Sequence, residues 1–243
     1  MSQIKRFAWF VLKSPQRKLL GFQTLLSDIK GILSVAFGIK SKEPIWVCIG
    51  IKDRSDNLKR LVNNLKEQWS NNNFSLSVHD QGSADAPELH HWLKNNWPGT
   101  IKWASEPAPF SRAKAFNLSV AQAGGNLVFV CDADMTLPKN LEQKIRQYVT
   151  KHSAWFPICQ WQKSPQNEDW IWFTRGTGIF AAHRQWHQKA LGYDESITTW
   201  GGEDWDQFFR FYRNGFMPLR TRCPDLYHHW HKPTEPENWV NAF

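Results

Sequence analysis

From Pro44 onward, short apolar runs of strand character alternate with stretches of helical periodicity. A chain patterned this way buries both sets of apolar surface by laying helices on the faces of a mainly parallel sheet, an α/β fold. The spacing predicts strands at 45–51, 74–79, 101–104 and 127–131, interleaved with helices at 57–68, 88–95 and 111–123. Gly124-Gly125 ends the last of these helices. The next strand, Leu127-Val128-Phe129-Val130-Cys131, is wholly apolar and runs straight into Asp132-Ala133-Asp134. Ligands of open α/β sheets sit beyond the carboxyl ends of the strands, and Asp80, Asp132 and Asp134 all fall there.

After Pro138 the regularity loosens. We expect a helix over 141–149, short strands near 156–161 and 178–182, and a helix over 205–213, in a half that holds nine tryptophans. Residues 44–243 therefore form one domain, with a nucleotide-binding half (44–137) and an acceptor-binding half (138–243). At 243 residues the chain has room for that domain plus an N-terminal appendage.

The appendage, residues 1–43, carries eight Lys and Arg against Asp28 and Glu43, so it holds +6 of the formal net charge of +8. A nucleic-acid enzyme would spread basic residues along its working groove, so this asymmetry argues against a nucleic-acid partner. Within 18–39, Leu19, Phe22, Leu25, Leu26, Ile29, Ile32, Leu33, Ala36 and Phe37 recur at helical spacing, and Pro15 divides this helix from a shorter one containing Phe7, Trp9, Phe10 and Leu12. Two readings fit: a helix packed on the domain or on a second subunit, or a helix lying on an anionic membrane surface. No apolar run is long enough to span a bilayer, and the four scattered cysteines suit a reducing compartment. The expectation is a cytoplasmic protein, peripheral on the inner face of the membrane where the appendage binds lipid.

Two further segments carry chemistry. In Trp200-Gly201-Gly202-Glu203-Asp204 a two-glycine turn precedes paired carboxylates at a helix start, where helix capping is the simplest role for one of them and proton removal from an acceptor hydroxyl suits the other. In His228-His229-Trp230-His231, one histidine is a candidate partner for Asp134 on a divalent metal, and a carboxylate and imidazole set suits Mn²⁺ or Mg²⁺.

Lys52-Asp53-Arg54-Ser55-Asp56-Asn57-Leu58, Phe110-Ser111-Arg112-Ala113-Lys114-Ala115-Phe116-Asn117, Asp132-Ala133-Asp134, Trp200-Gly201-Gly202-Glu203-Asp204, and His228 followed by Glu235-Pro236 resemble, in that order, motifs of the β-1,4-galactosyltransferases. They are similar also to bacterial family 2 glycosyltransferases of the chondroitin-polymerase type. The resemblance covers about residues 44–238. It implies a GT-A fold and an inverting transfer of galactose or N-acetylgalactosamine from a UDP-sugar to a bacterial surface glycan or lipid-linked acceptor. It further implies Arg54 and Arg112 at the diphosphate and uridine, Asp80 at the uracil, Asp132 and Gly202 in the donor site, and Trp200 against the sugars. Asp134 and His228 would hold the metal, with His231 as a rival, while Glu203 meets the acceptor and Asp204 acts as base. A sugar nucleotidyltransferase should show a glycine-rich loop after its first strand, and Gly50-Ile51-Lys52-Asp53-Arg54 has one glycine. A non-catalytic glycan-binding protein would account for the tryptophans but does not require both carboxylate pairs.

Overall fold

A computed structural model describes residues 15–38, 40–68, 74–166, 169–197 and 202–231, with side chains described from Leu25 onward. Helix α1 (Pro15–Phe37) opens the fold, with Pro15 at its first position, where a missing N–H costs nothing. There follow β1 (Ile45–Ile51), α2 (Ser55–Glu67), β2 (Phe74–Asp80), α3 (Leu89–Asn96), β3 (Ile101–Ser105), α4 (Arg112–Gln122) and β4 (Leu127–Val130). The second half comprises β5 (Met135–Thr136), α5 (Leu141–Tyr148), β6 (Ser153–Gln162), β7 (Trp170–Trp172), β8 (Phe180–His183), α6 (Arg184–Lys189), α7 (Gly202–Arg213) and β9 (Met217–His228).

One curled sheet runs through both halves in the order β3-β2-β1-β4-β8-β6-β9-β5, with β7 on β6. Its first four strands are parallel, as the alternation requires. From β4 the sheet becomes mixed: β8 is antiparallel to β4 and β6, while β9 returns parallel to β6. The register places Ile51 beside Asp80 and Cys48 beside Val130, so the residues after β1, β2 and β4 emerge on one edge.

Side-chain alternation sets up the core on each face of the sheet. Ile45, Val47, Ile49 and Ile51 point to the face covered by Leu58, Leu61, Val62 and Leu65 of α2. Trp46 and Cys48 point to the other, covered by Ala113, Phe116 and Val120 of α4. The same face continues into the second half, where Phe156 packs against Phe180, Phe208 and Phe211 at ring separations of 5.4, 5.0 and 5.6 Å. The four cysteines are buried thiols.

The predicted strands and helices of the first half form with boundaries shifted by a residue or two. Strand β9 is the main addition. Its sequence, MPLRTRCPDLYH, carries two prolines and three charged residues, a pattern that argues against a strand. It forms because the register slips between Ile158 and Gln160 of β6, and Asp225 takes φ of 65° beside Pro224. The slip accommodates the proline as an irregularity in the ladder, and the strand then continues to His228.

The buried aromatic cluster should carry much of the second half's stability. Phe156→Ala is expected to lower the free energy of unfolding by about 3–5 kcal/mol in urea titrations of the full chain. A loss under about 1 kcal/mol would show that the surrounding rings collapse into the space.

Candidate active site

The edge where β1, β2 and β4 end holds two clusters of charged side chains. The first is built around Arg112, the opening residue of α4. Ser111 caps that helix, its hydroxyl accepting the Lys114 N–H at 3.3 Å, and so fixes where the guanidinium starts. Arg112 donates through Nε and Nη2 to the two oxygens of Asp132 at 2.9 and 3.1 Å. Nη1 donates to Glu203 at 3.1 Å and to Asp204, and Nη2 also donates to the Gly178 carbonyl at 3.1 Å. These bonds match the five N–H donors a guanidinium has. Gly178 is required for this approach, since a Cβ there would lie 2.5 Å from Arg112 Nη2 and 2.8 Å from Asp204 Oδ2.

Three carboxylates around one cation cannot all ionise freely. Asp132 keeps its carboxyl below the usual range: burial opposes ionisation, but the Arg112 charge and hydrogen bonds outweigh it. Asp204 goes the other way. Burial pushes its carboxyl up to about 7; Arg112 works against this, while Glu203 and Asp132 add to it.

The second cluster is Asp134, His228 and His231, whose ligand atoms lie within 4.8 Å of one another. His228 Nε2 is 3.4 Å from Asp134 Oδ1, and His231 Nε2 is 3.2 Å from Asp134 Oδ2. Asp134 is buried, and its Oδ1 has no hydrogen-bond partner. A buried carboxylate with one unsatisfied oxygen, facing two imidazoles, fits a divalent cation with oxygen and nitrogen ligands.

The two histidines are not equivalent. Arg54, at the start of α2, places Nη2 3.2 Å from His231 Nδ1. A guanidinium only donates, so Nδ1 must accept, and in a neutral ring the proton then sits on Nε2, the atom facing Asp134. In that state His231 is a donor to Asp134. His228 has an unpartnered Nδ1 that can carry its proton and leave the Nε2 lone pair toward Asp134. The third histidine, His229, faces elsewhere: Nε2 is 2.7 Å from Thr136 Oγ1 and the ring stands edge-on to Trp170.

Alternate residues of a continuing strand would point Asp132 and Asp134 the same way. The structure separates them, because β4 ends at Val130 and Ala133-Asp134 form a turn before β5. Asp132 goes to Arg112 and Asp134 to the histidines. Arg112, expected at the diphosphate and uridine, ties the acidic cluster together. Asp80, expected at the uracil, is buried at the same edge, where its Oδ1 accepts from Ser83 N and Oγ at 2.9 and 2.7 Å. Gly202 and Glu203 open α7, whose first turn also carries Asp204. Trp200, Gly201 and Glu235-Pro236 lie outside the described residues.

Sequence reasoning missed three contributors. Gly178 offers its carbonyl and its missing Cβ, and a Thr-Gly pair between strand runs is an ordinary loop signal. Gln207, one turn after Glu203 in α7, is buried with neither amide atom hydrogen-bonded, and the buried Tyr193 hydroxyl is also unpartnered. Glu203 Oε2 shares that condition, so polar capacity for a sugar or water lies beside the acidic cluster.

Replacing Arg112 tests the clamp. Arg112→Met leaves the three carboxylates uncompensated and should cost about 3–5 kcal/mol of stability at pH 8. The deficit against wild type should shrink at pH 5, where the orphaned carboxyls take up protons, and denaturant melts at the two pH values measure it. For the metal cluster, calorimetry of UDP with Mn²⁺ should show binding abolished by Asp134→Ala and weakened more by His228→Ala than by His231→Ala. Unchanged binding in Asp134→Ala would remove the assignment.

Residues 46–214 match the family profile described as Glycosyl transferase family 2. Among curated proteins, N-acetyl-beta-glucosaminyl-glycoprotein 4-beta-N-acetylgalactosaminyltransferase 1 of Mus musculus is 29% identical over 112 residues, 44% of this chain and 11% of its own. Chondroitin sulfate N-acetylgalactosaminyltransferase 1 of Homo sapiens is 22% identical over 216 residues, covering 77% of this chain and 41% of its own. The chain thus spans less than half the length of either relative. Among solved structures, S. aureus TarS 1-349 in complex with UDP-GlcNAc superimposes with a TM-score of 0.60 at 15% identity, over 78% of this chain and 59% of that one. The mannosyltransferase PcManGT from Pyrobaculum calidifontis, in complex with GDP-Man and Mn²⁺, gives 0.58 at 16% identity over 89% and 66%. These likenesses fix the fold as that of GT-A transferases. With the profile running from β1 through α7 and taking in Arg112, Asp132, Asp134, Glu203 and Asp204, the chain belongs to glycosyl transferase family 2.

Proposed function

We propose that the protein is a metal-dependent, inverting glycosyltransferase that moves galactose or N-acetylgalactosamine from a UDP-sugar to a hydroxyl of a glycan or lipid-linked acceptor. One observation carries the reading. The buried Asp134 carboxylate facing two histidines stands two residues from Asp132, and Arg112 ties Asp132 to Glu203 and Asp204, so a candidate donor-metal site and a candidate base share one sheet edge. The choice of N-acetylgalactosamine draws on the names of the animal relatives, and UDP-sugar use on the TarS complex.

Asp134 and His228 would hold a Mn²⁺ or Mg²⁺ ion, with His231 beside them. When bound, such an ion neutralises the charge that builds on a departing diphosphate. Arg54 lies at the same cluster and can turn its guanidinium from His231 to a phosphate. Asp204 accepts the proton of the acceptor hydroxyl while that oxygen attacks the anomeric carbon and the bond from that carbon to the diphosphate oxygen breaks. A single displacement of this kind inverts the anomeric centre. Glu203, buried with one oxygen on Arg112 and the other unpartnered, is placed to receive an acceptor hydroxyl. Arg112 acts through the carboxylates it positions, and it keeps the Asp204 carboxyl aimed even when that group is neutral. The bacterial glycan acceptor and a place on the inner membrane face belong to the same proposal, the latter on the charge of residues 1–43.

A base whose carboxyl titrates near 7 must lose its proton to work, so turnover should climb as pH rises through about 7 and fall roughly tenfold per unit below it. Asp204→Asn should keep UDP-sugar affinity and melting temperature while kcat drops by roughly 10²-fold or more. The assay is UDP release from a panel of UDP-sugars with Mn²⁺, with and without acceptor. Near-normal turnover in Asp204→Asn would remove the base assignment, and absence of UDP release from every UDP-sugar would remove the donor class.

A further inference from the structure

Helix α1 is attached to the domain by the face that would ordinarily meet water. Ser27, Gly31 and Ser34, three and four residues apart, are buried against the acceptor half. The approach is close: a Cβ on Gly31 would lie 2.5 Å from Met217 Cβ. Asp28 on the same side shares a hydrogen bond with Tyr212 of α7. The opposite face presents Leu25, Leu26, Ile29, Ile32, Leu33 and Phe37 at 44, 40, 45, 59, 54 and 84% exposure. The sequence left open whether this helix packs on protein or lies on a surface. The small-residue stripe does the packing, which leaves the apolar ridge with a separate partner to find.

Charge identifies that partner. Residues 1–43 hold +6, and Lys30 and Lys42 are exposed. A second copy meeting this face would bring another +6 against it, and like charges at an interface oppose association. An anionic lipid surface satisfies both features, taking the apolar side chains into its headgroup boundary while its charge attracts the lysines and arginines. No helix among the described residues is long and apolar enough to cross a membrane, which suits a helix lying in the surface plane. We infer that the exposed ridge of α1, with the basic residues of 1–43, docks the protein on an anionic lipid bilayer. Because the opposite face grips α7 and β9, docking fixes the acceptor half relative to the bilayer. The docking stands apart from the transfer reaction, which gives it a use if the acceptor is carried on a lipid.

The test uses the full chain with vesicles of phosphatidylcholine alone or mixed with phosphatidylglycerol. Wild type should co-sediment with the mixed vesicles only, and added salt should release it, since exposed charges are screened over about 8 Å at physiological ionic strength. The variant Ile29→Gln/Ile32→Gln/Leu33→Gln keeps good helix formers and should bind the mixed vesicles ~10-fold or more weakly, with unchanged melting temperature and UDP-sugar hydrolysis. Failure of wild type to bind, or equal binding by the variant, overturns the inference. So does a fall in the variant's melting temperature, or its dissociation from a dimer that wild type forms, because the ridge would then be covered by this chain or by a second copy.

Discussion

The candidate site depends on the Arg112 guanidinium. It joins three separate parts of the chain: the start of α4, the second residue after β4 and the first turn of α7. Gly178 supplies a fourth contact through its carbonyl. Among the described residues no backbone hydrogen bond links α7 to β4, so the relative position of Asp132 and Asp204 is set by side-chain bonds to one cation and by the packing of Phe208 and Phe211 behind it. The arrangement concentrates negative charge. One cation cannot neutralise three carboxylates, and the shortfall falls on Asp204, which is half-buried and beside two other acids. The geometry that assembles the site thereby also raises the proton affinity of one member, which a general base working near neutral pH needs.

Asp132 and Asp134 illustrate how a short turn divides labour. Had the strand continued past Val130, alternate residues would have faced the same side and both carboxylates would have served one cation. The turn at Ala133-Asp134 sends one toward a fixed guanidinium and the other toward two imidazoles. The main-chain carbonyl of Asp134 in turn accepts the His229 N–H at 3.0 Å, which pins the end of β9 beside β4's exit and brings His228 and His231 within reach. The metal-type cluster is thus assembled by backbone pairing, and the acidic cluster by side chains.

Much of this was legible because the parallel half follows simple rules. A wholly apolar strand ending in carboxylates, in a run of strands alternating with helices of clear periodicity, leaves little freedom about where Asp80, Asp132 and Asp134 must emerge. The second half was harder for a physical reason. Its longest described strand, β9, is interrupted by Pro224 and carries arginines whose stems lie along the sheet, Arg222 reaching over the Trp172 ring at 5.2 Å. Neither periodicity nor propensity marks such a strand; it is held by pairing with β6 across 153–161. The bonds of Arg112 were equally hidden, since sequence shows that an arginine and three acids exist but not that one guanidinium fans out to all three.

Helix α1 shows a different limit of pattern reading. Helical periodicity finds an apolar face and does not say whether that face is the one that packs. Here the opposite side, with Ser27, Gly31 and Ser34, lets the helix backbone approach Met217 at a distance that a larger side chain at Gly31 would prevent. Close backbone approach then does the attaching with little apolar burial, and the large side chains stay outward at a cost in water that grows with exposed area. That cost persists only where something offsets it, either tight packing on the far side or burial in a second phase. In this chain the first is present at Gly31, and the excess positive charge of the same segment suits the second.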